Sequence, residues 1–215
     1  MLRRPHGICH REQVAHVLVL PSVLGVRAGV LDAVERLQTA GHTAHLADIF
    51  RGRSFDTYPE ARAFAGELGN EELDRRALEA AADLPDDLVV VGFSLGAVLA
   101  ERIALHQPVA GVVLLSGALS VHSFEGSQWP RALPLQVHVA VEDPLWNAAQ
   151  INDLLADASA AGASATLFDY PGGGHLFTDP TLPGEYSADA ASLAWRRILD
   201  FVGATTRHAP QEKTL

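Results

Sequence analysis

A single cysteine, Cys9, excludes an internal disulfide, so nothing in the composition points to a secreted, stapled scaffold. Cations are also scarce: 16 lysines and arginines against 26 acidic residues leave a formal net charge of -10. That deficit argues against a nucleic-acid backbone or an anionic membrane surface as the main partner. No stretch reaches the roughly 18 apolar residues needed to span a bilayer. The nearest, "VAHVLVLPSVLGV", follows Arg3 and Arg4 in the manner of a secretory signal. His16 and Pro21 interrupt it, however, Arg11 and Glu12 abut it, and no small-residue cleavage site follows. A buried strand explains the run better, and the expected location is cytoplasmic. Repeats, low-complexity segments and linkers are missing as well. The 215 residues therefore read as one globular core over 14–203, flanked by tails at 1–13 and 204–215. The "HGICH" segment sets His6, Cys9 and His10 close together but lacks the paired-cysteine spacing of a zinc motif; a tail without metal is expected there.

What is present is an alternation of short apolar, β-rich runs with longer helical patterns, the mark of a parallel sheet covered on both faces. Strands are predicted at 14–20, through "HTAHLADIF", at "LVVVGF", "VAGVVLLSG", "LPLQVHVAVE" and "SATLFDYP". Helices are predicted through "VLDAVERLQTAG", "EELDRRALEAAADL", Leu95 to about His106, 147–161 and about 186–202. Residues 51–70, with Arg, Gly, Pro and Asn, read as an irregular surface excursion, and 120–132 as a polar, aromatic loop. The expected architecture is a doubly wound, mostly parallel α/β sheet with helices on both faces. In such sheets ligands bind beyond the carboxyl ends of the strands, so chemistry is sought just after each strand.

Gly92-Phe93-Ser94-Leu95-Gly96 fits G-x-S-x-G, a sharp strand-to-helix turn that exposes a serine hydroxyl at the positive end of a helix. Small neighbours let strand and helix approach closely. The alternative reading is a mere packing turn. A serine nucleophile needs a base, and the base needs an orienting acid, following it in the order acid then histidine. Asp143 follows "LQVHVAVE", and His175 follows "ATLFDY" after "PGGG". Rivals fit less well. His138 lies inside a strand pattern, His106 is near the end of a helix, and His122 precedes the acid. Strand alternation turns Glu142 to the face opposite Asp143, and Asp169 barely leaves its strand. An oxyanion hole requires two backbone N–H groups: Leu95, after the serine, and Val23 in the loop Pro21–Gly25. Phe55, Tyr58, Trp129, Trp146 and Phe177 lie on or near loops at the same edge, where pocket wall and packing are both open readings.

With these residues in view, the chain resembles the dienelactone hydrolase family of α/β-hydrolases. The likeness rests on "LPSVLGVRAGV", "GFSLGA", "AVEDPLW" and "YPGGGHLFTDPTLPGEYSADAASLAWRRILDFV", and spans most of 14–203. It implies an α/β-hydrolase fold without a large cap and a cofactor-free, metal-free triad of Ser94, Asp143 and His175. It also implies a small-molecule ester or lactone substrate. The founding enzymes carry a cysteine at the position of Ser94 and a glutamate in the first loop, where this chain has Ser22. Their arginine four residues past the histidine, which helps bind a carboxylate, corresponds to Asp179. Ser22 and Asp179, by this correspondence, and Trp146 and Phe177, by their place on loops at the same edge, are expected around the substrate. An anion at 179 repels a carboxylated substrate, which points away from dienelactone itself. The rival readings are a binding module on the same shell, or acyl transfer or thioester cleavage at the same site.

Overall fold

In a computed structural model, residues 14–205 are described. Six strands, β1 (His16–Leu20), β2 (Thr43–Leu46), β3 (Val89–Phe93), β4 (Gly111–Leu115), β5 (Leu135–Ala140) and β6 (Ala165–Tyr170), form one sheet in the order β2-β1-β3-β4-β5-β6. Every pairing is parallel. β3 and β4 are buried at all five positions, as their wholly apolar sequences VVVGF and GVVLL require of strands covered on two sides. The edge strands β2 and β6 are only partly covered.

Six helices connect and flank the strands: α1 (Ala28–Thr39), α2 (Tyr58–Leu68), α3 (Asn70–Ala81), α4 (Leu95–His106), α5 (Ala148–Ala160) and α6 (Ala188–Thr205). From β1 the chain steps outward to β2, whereas from β3 it steps the other way to β4. Right-handed crossovers then put α1 and α4 on opposite faces. Trp195 of α6 packs against Phe93, with Arg36 of α1 over its ring, so α6 shares the α1 face. The reversal of direction between β1 and β3 opens a crevice at their carboxyl ends, the topological switch point. Both the Pro21–Gly25 loop and Ser94 emerge there.

The close approach at that point depends on absent side chains. A Cβ on Gly92 would lie 2.1 Å from the carbonyl oxygen of Gly96, and one on Gly96 would lie 2.3 Å from that of Leu20. Glycine at both positions lets α4 start directly against β1 and β3.

Three predictions change. Residues 58–68 are helical, not irregular: Thr57 precedes the helix and Pro59 occupies its first turn, where a missing N–H costs nothing. The proline that contributes to the irregular reading of this segment instead starts a helix. At the other end α6 continues to Thr205, past the expected helix end at about 202; the Thr205 hydroxyl donates to the Val202 carbonyl at 2.9 Å. Within 120–132 a single 3-10 turn at Val121–Ser123 and the buried Phe124 and Trp129 fold back on the core. No helix among the described residues is long and apolar enough to cross a membrane. The His6, Cys9 and His10 cluster lies outside the described residues.

Candidate active site

Ser94 joins β3 to α4 with φ 53° and ψ -111°, a left-handed conformation that costs energy for any residue but glycine. Its N–H donates to the Leu115 carbonyl at 2.8 Å, which ties the turn to β4. The side chain is only partly buried, and its hydroxyl stands 2.7 Å from Nε2 of His175. Nδ1 of the same ring lies 2.8 Å from Oδ2 of Asp143. The other oxygen of Asp143 accepts the Leu145 N–H at 2.8 Å, so the carboxylate is held from two sides. His175 and Asp143 are both 6 % exposed. With the ring proton on Nδ1 the line is continuous: the Ser94 hydroxyl donates to the imidazole, and the imidazole donates to the carboxylate.

Asp143 is not at the end of a strand. β5 stops at Ala140, and Val141 to Pro144 form a turn closed by the Asp143 N–H on the Ala140 carbonyl at 3.1 Å. The turn, rather than strand alternation, buries Asp143 and leaves Glu142 exposed. His175 follows a glycine turn whose residues 172 and 173 have φ of +73° and +85°. A Cβ on Gly173 would crowd Phe177 at 2.9 Å.

A cleft of about 400 Å³ opens over Ser94 and His175. Val23 and Leu95 both border it. Leu95 is the first residue of α4, so its N–H has no partner within the helix. Val23 sits inside the turn that the Gly25 N–H closes on the Ser22 carbonyl, and the turn leaves its own N–H out of that bond. The apolar wall comes from Val98, Ala118, Val139, Trp146 and Ile151.

Of the residues expected around substrate, Trp146 lines this cleft and three do not. Ser22 is buried, its hydroxyl accepting the Leu24 N–H at 3.2 Å, and it faces a separate small void with Asp179. Asp179 turns inward, 3.6 Å from Nε of Arg27, and accepts both the N–H and the hydroxyl of Thr181. Its carboxylate faces Arg27 and Thr181 and does not line the Ser94 cleft. Phe177 is fully buried, stacked on Tyr170 at 5.2 Å. Among the other aromatics Tyr58 borders the cleft, whereas Phe55 packs on Phe50 and Phe64, and the Trp129 indole donates to the Leu133 carbonyl. His138 is a satisfied core residue, bonded to the Tyr170 hydroxyl at 2.8 Å and to Gln136 at 3.1 Å.

Sequence reasoning missed Arg62, the 116–119 wall and Gln150. Ser116 follows β4, so the rule that sites follow strands was enough to find it. Arg62 lies on α2, a helix whose sequence reads as an irregular segment. The 116–119 segment is anchored by Glu101 of α4, whose carboxylate oxygens accept the Leu119 N–H at 3.0 and 3.3 Å. Burial pushes the Glu101 carboxyl well above its ordinary range. Tyr58 donates to Glu185, and burial followed by the nearby Glu185 charge pushes its phenol upward. Among the described residues no cluster of three or more His, Cys, Asp or Glu side chains is placed to hold a metal ion.

Solved structures with the same fold include a dienelactone hydrolase-like promiscuous phosphotriesterase from metagenomic libraries. It is 20% identical over 89% of this chain and 86% of its own, with a TM-score of 0.72. Mouse alpha/beta hydrolase domain-containing protein 10 is 12% identical over 88% and 90% of the two chains, with a TM-score of 0.65. Esterase PE8 is 17% identical over 86% and 92%, with a TM-score of 0.60. These similarities carry the α/β-hydrolase fold. No curated protein sequence matches the chain. The sequence pattern of the dienelactone hydrolase family matches residues 4–206, and the chain belongs to that family of hydrolases.

Proposed function

We propose that the protein is a serine hydrolase that cleaves a small carboxylic ester or lactone through an acyl-enzyme. The observation that carries this reading is the unbroken hydrogen-bonded line from Ser94 through His175 to Asp143, at 2.7 and 2.8 Å. His175 takes the Ser94 proton as Oγ attacks the carbonyl carbon. Asp143 keeps the ring proton on Nδ1 and stabilises the imidazolium that forms. The N–H groups of Val23 and Leu95 receive the oxyanion, each contributing about 3 kcal/mol of barrier lowering in sites of this kind. Nε2 then hands its proton to the departing alcohol oxygen. A water, deprotonated by the same nitrogen, repeats the attack and releases the acid.

The test pairs a fluorophosphonate probe with turnover of p-nitrophenyl acetate, in the wild type and in Ser94→Ala. Labelling and turnover that both disappear in the variant are the expected result. A wild type that takes no label sinks the reading and leaves a binding module. Label without ester turnover moves the assignment to acyl transfer or thioester cleavage at the same serine.

A further inference from the structure

Two cavities meet at His175. The cleft already described is lined by Ser94, Val23 and Leu95. A second, of about 570 Å³, shares Tyr58, Arg62, Leu145 and His175 with it but does not include Ser94. The walls differ in chemistry. The first is walled mainly by aliphatic side chains and Trp146, with uncharged Ser116, Asn147 and Gln150 among them, whereas the second is bordered by Glu142, Glu185, Tyr186 and glycine backbone.

The proposed chemistry, on which this inference rests, orients a substrate across the pair. In the tetrahedral intermediate the oxyanion lies toward Val23 and Leu95. The leaving oxygen must lie toward Nε2 of His175, because that nitrogen protonates it. The acid half therefore occupies the apolar cleft and the alcohol half extends past the imidazole. We propose that the second cavity is the leaving-group subsite and that it takes an uncharged, hydroxyl-bearing alcohol.

Charge decides the class. The cavity wall carries two carboxylates, Glu142 and Glu185, against one cation, Arg62, so an anionic alcohol meets net repulsion. A quaternary ammonium has no N–H to give the carboxylates, and the guanidinium of Arg62, over the Tyr58 ring at 5.6 Å, takes one of the wall's two tyrosine rings and repels a second cation. Hydroxyl groups suit what remains: they donate to the exposed Glu142 and accept from Arg62. A plain alkyl alcohol leaves both groups to water and gains nothing from them.

The experiment compares kcat/KM for four monoesters of butyric acid, those of ethanol, glycerol, choline and glycolate. The glycerol ester should exceed the ethyl ester about tenfold, the value of one additional hydrogen bond. Choline and glycolate esters should be no better than the ethyl ester. Gly184→Trp fills the second cavity from a position where an added Cβ meets nothing within 4 Å. In that variant the glycerol-to-ethyl ratio should fall to about one, with Ser94 still labelled by fluorophosphonate as proof of folding. Equal rates for glycerol and ethyl esters, a choline or glycolate preference, or an unchanged ratio in labelled Gly184→Trp would overturn the subsite while sparing the hydrolase. Loss of both labelling and all ester turnover in the wild type would instead remove the hydrolase reading, and the subsite with it.

Discussion

The hydroxyl of Tyr58 lies 2.9 and 3.0 Å from the two carboxylate oxygens of Glu185, and one of those oxygens accepts the Leu176 N–H at 2.6 Å. A helix from early in the chain is thereby fastened to the residue that follows His175. Removing the hydroxyl in Tyr58→Phe deletes a charge-assisted bond. At this half-buried position the expected loss is about 1–2 kcal/mol in urea unfolding. Because Leu176 adjoins His175, the same variant should also lower p-nitrophenyl acetate kcat. An unfolding midpoint equal to that of the wild type would mean that the contact carries no energy.

Asp143→Asn tests the orienting acid without changing its size. An amide in place of the carboxylate favours the wrong imidazole tautomer, and kcat should drop by about 10⁴ with circular dichroism unchanged. Activity within a few-fold of wild type would show that another acid holds His175; the candidates are then Glu142 and Asp169, both exposed.

The buried Glu101 predicts a pH effect of definite sign. Its carboxyl is raised above its unfolded value by burial, only partly opposed by the Leu119 N–H. Between the ordinary value and the raised one the folded state binds the extra proton, so this residue's contribution falls as pH rises through that window. Glu101→Gln keeps an acceptor for Leu119 and carries no titrating proton. It should therefore be more stable than the wild type at pH 9 and match it more closely at pH 5. Glu101→Leu strands the Leu119 N–H and should lose about 1–3 kcal/mol at both. Guanidinium unfolding of the three proteins at the two pH values decides the matter; parallel pH curves for wild type and Gln would refute the assignment.

His138 acts at the acid end. Burial, and then the positive charge of Arg197, lowers its pKa from 6.5 to about 3. The unfolded chain takes up a proton between those values and the folded one does not, so stability falls as pH drops from about 6.5 toward 3. Being fully buried, this one residue should contribute on the order of a few kcal/mol of that loss. His138→Gln should flatten the acid limb of an unfolding-midpoint curve measured from pH 7 to pH 4. An acid limb of the same slope in the variant would transfer the effect to the carboxylates.

Much of the site follows from local chain physics. An apolar run, a glycine on each side of Ser94 and a helical pattern after it specify the strand-to-helix turn, and Leu95–His106 forms the expected helix at its predicted limits. The order of Ser94, Asp143 and His175, each behind the carboxyl end of a parallel strand (β3, β5 and β6), makes their meeting at one sheet edge predictable. Position within a turn was less legible. The apolar run before it predicts Asp143 at a strand end, yet it reaches His175 from a turn three residues past β5. The selection of Asp143 over Glu142 depended on how that turn packs.

The residues around the trio were harder still. Asp179 and Arg27 are 152 positions apart, and no pattern along the chain announces that they pair at 3.6 Å. Ser22 and Phe177 have the right neighbours in sequence but point into the core. The sequence by itself determined the alternation of strand and helix, the sharp turn at Ser94 and the order of the polar residues after it, because each depends on hydrophobic period and backbone sterics over a few neighbours. Only the tertiary structure decided which side chains face the cleft and which are consumed in holding the fold. Such a choice depends on contacts between segments far apart in the chain, and burial and charge neutralisation at those contacts cannot be read from the local sequence.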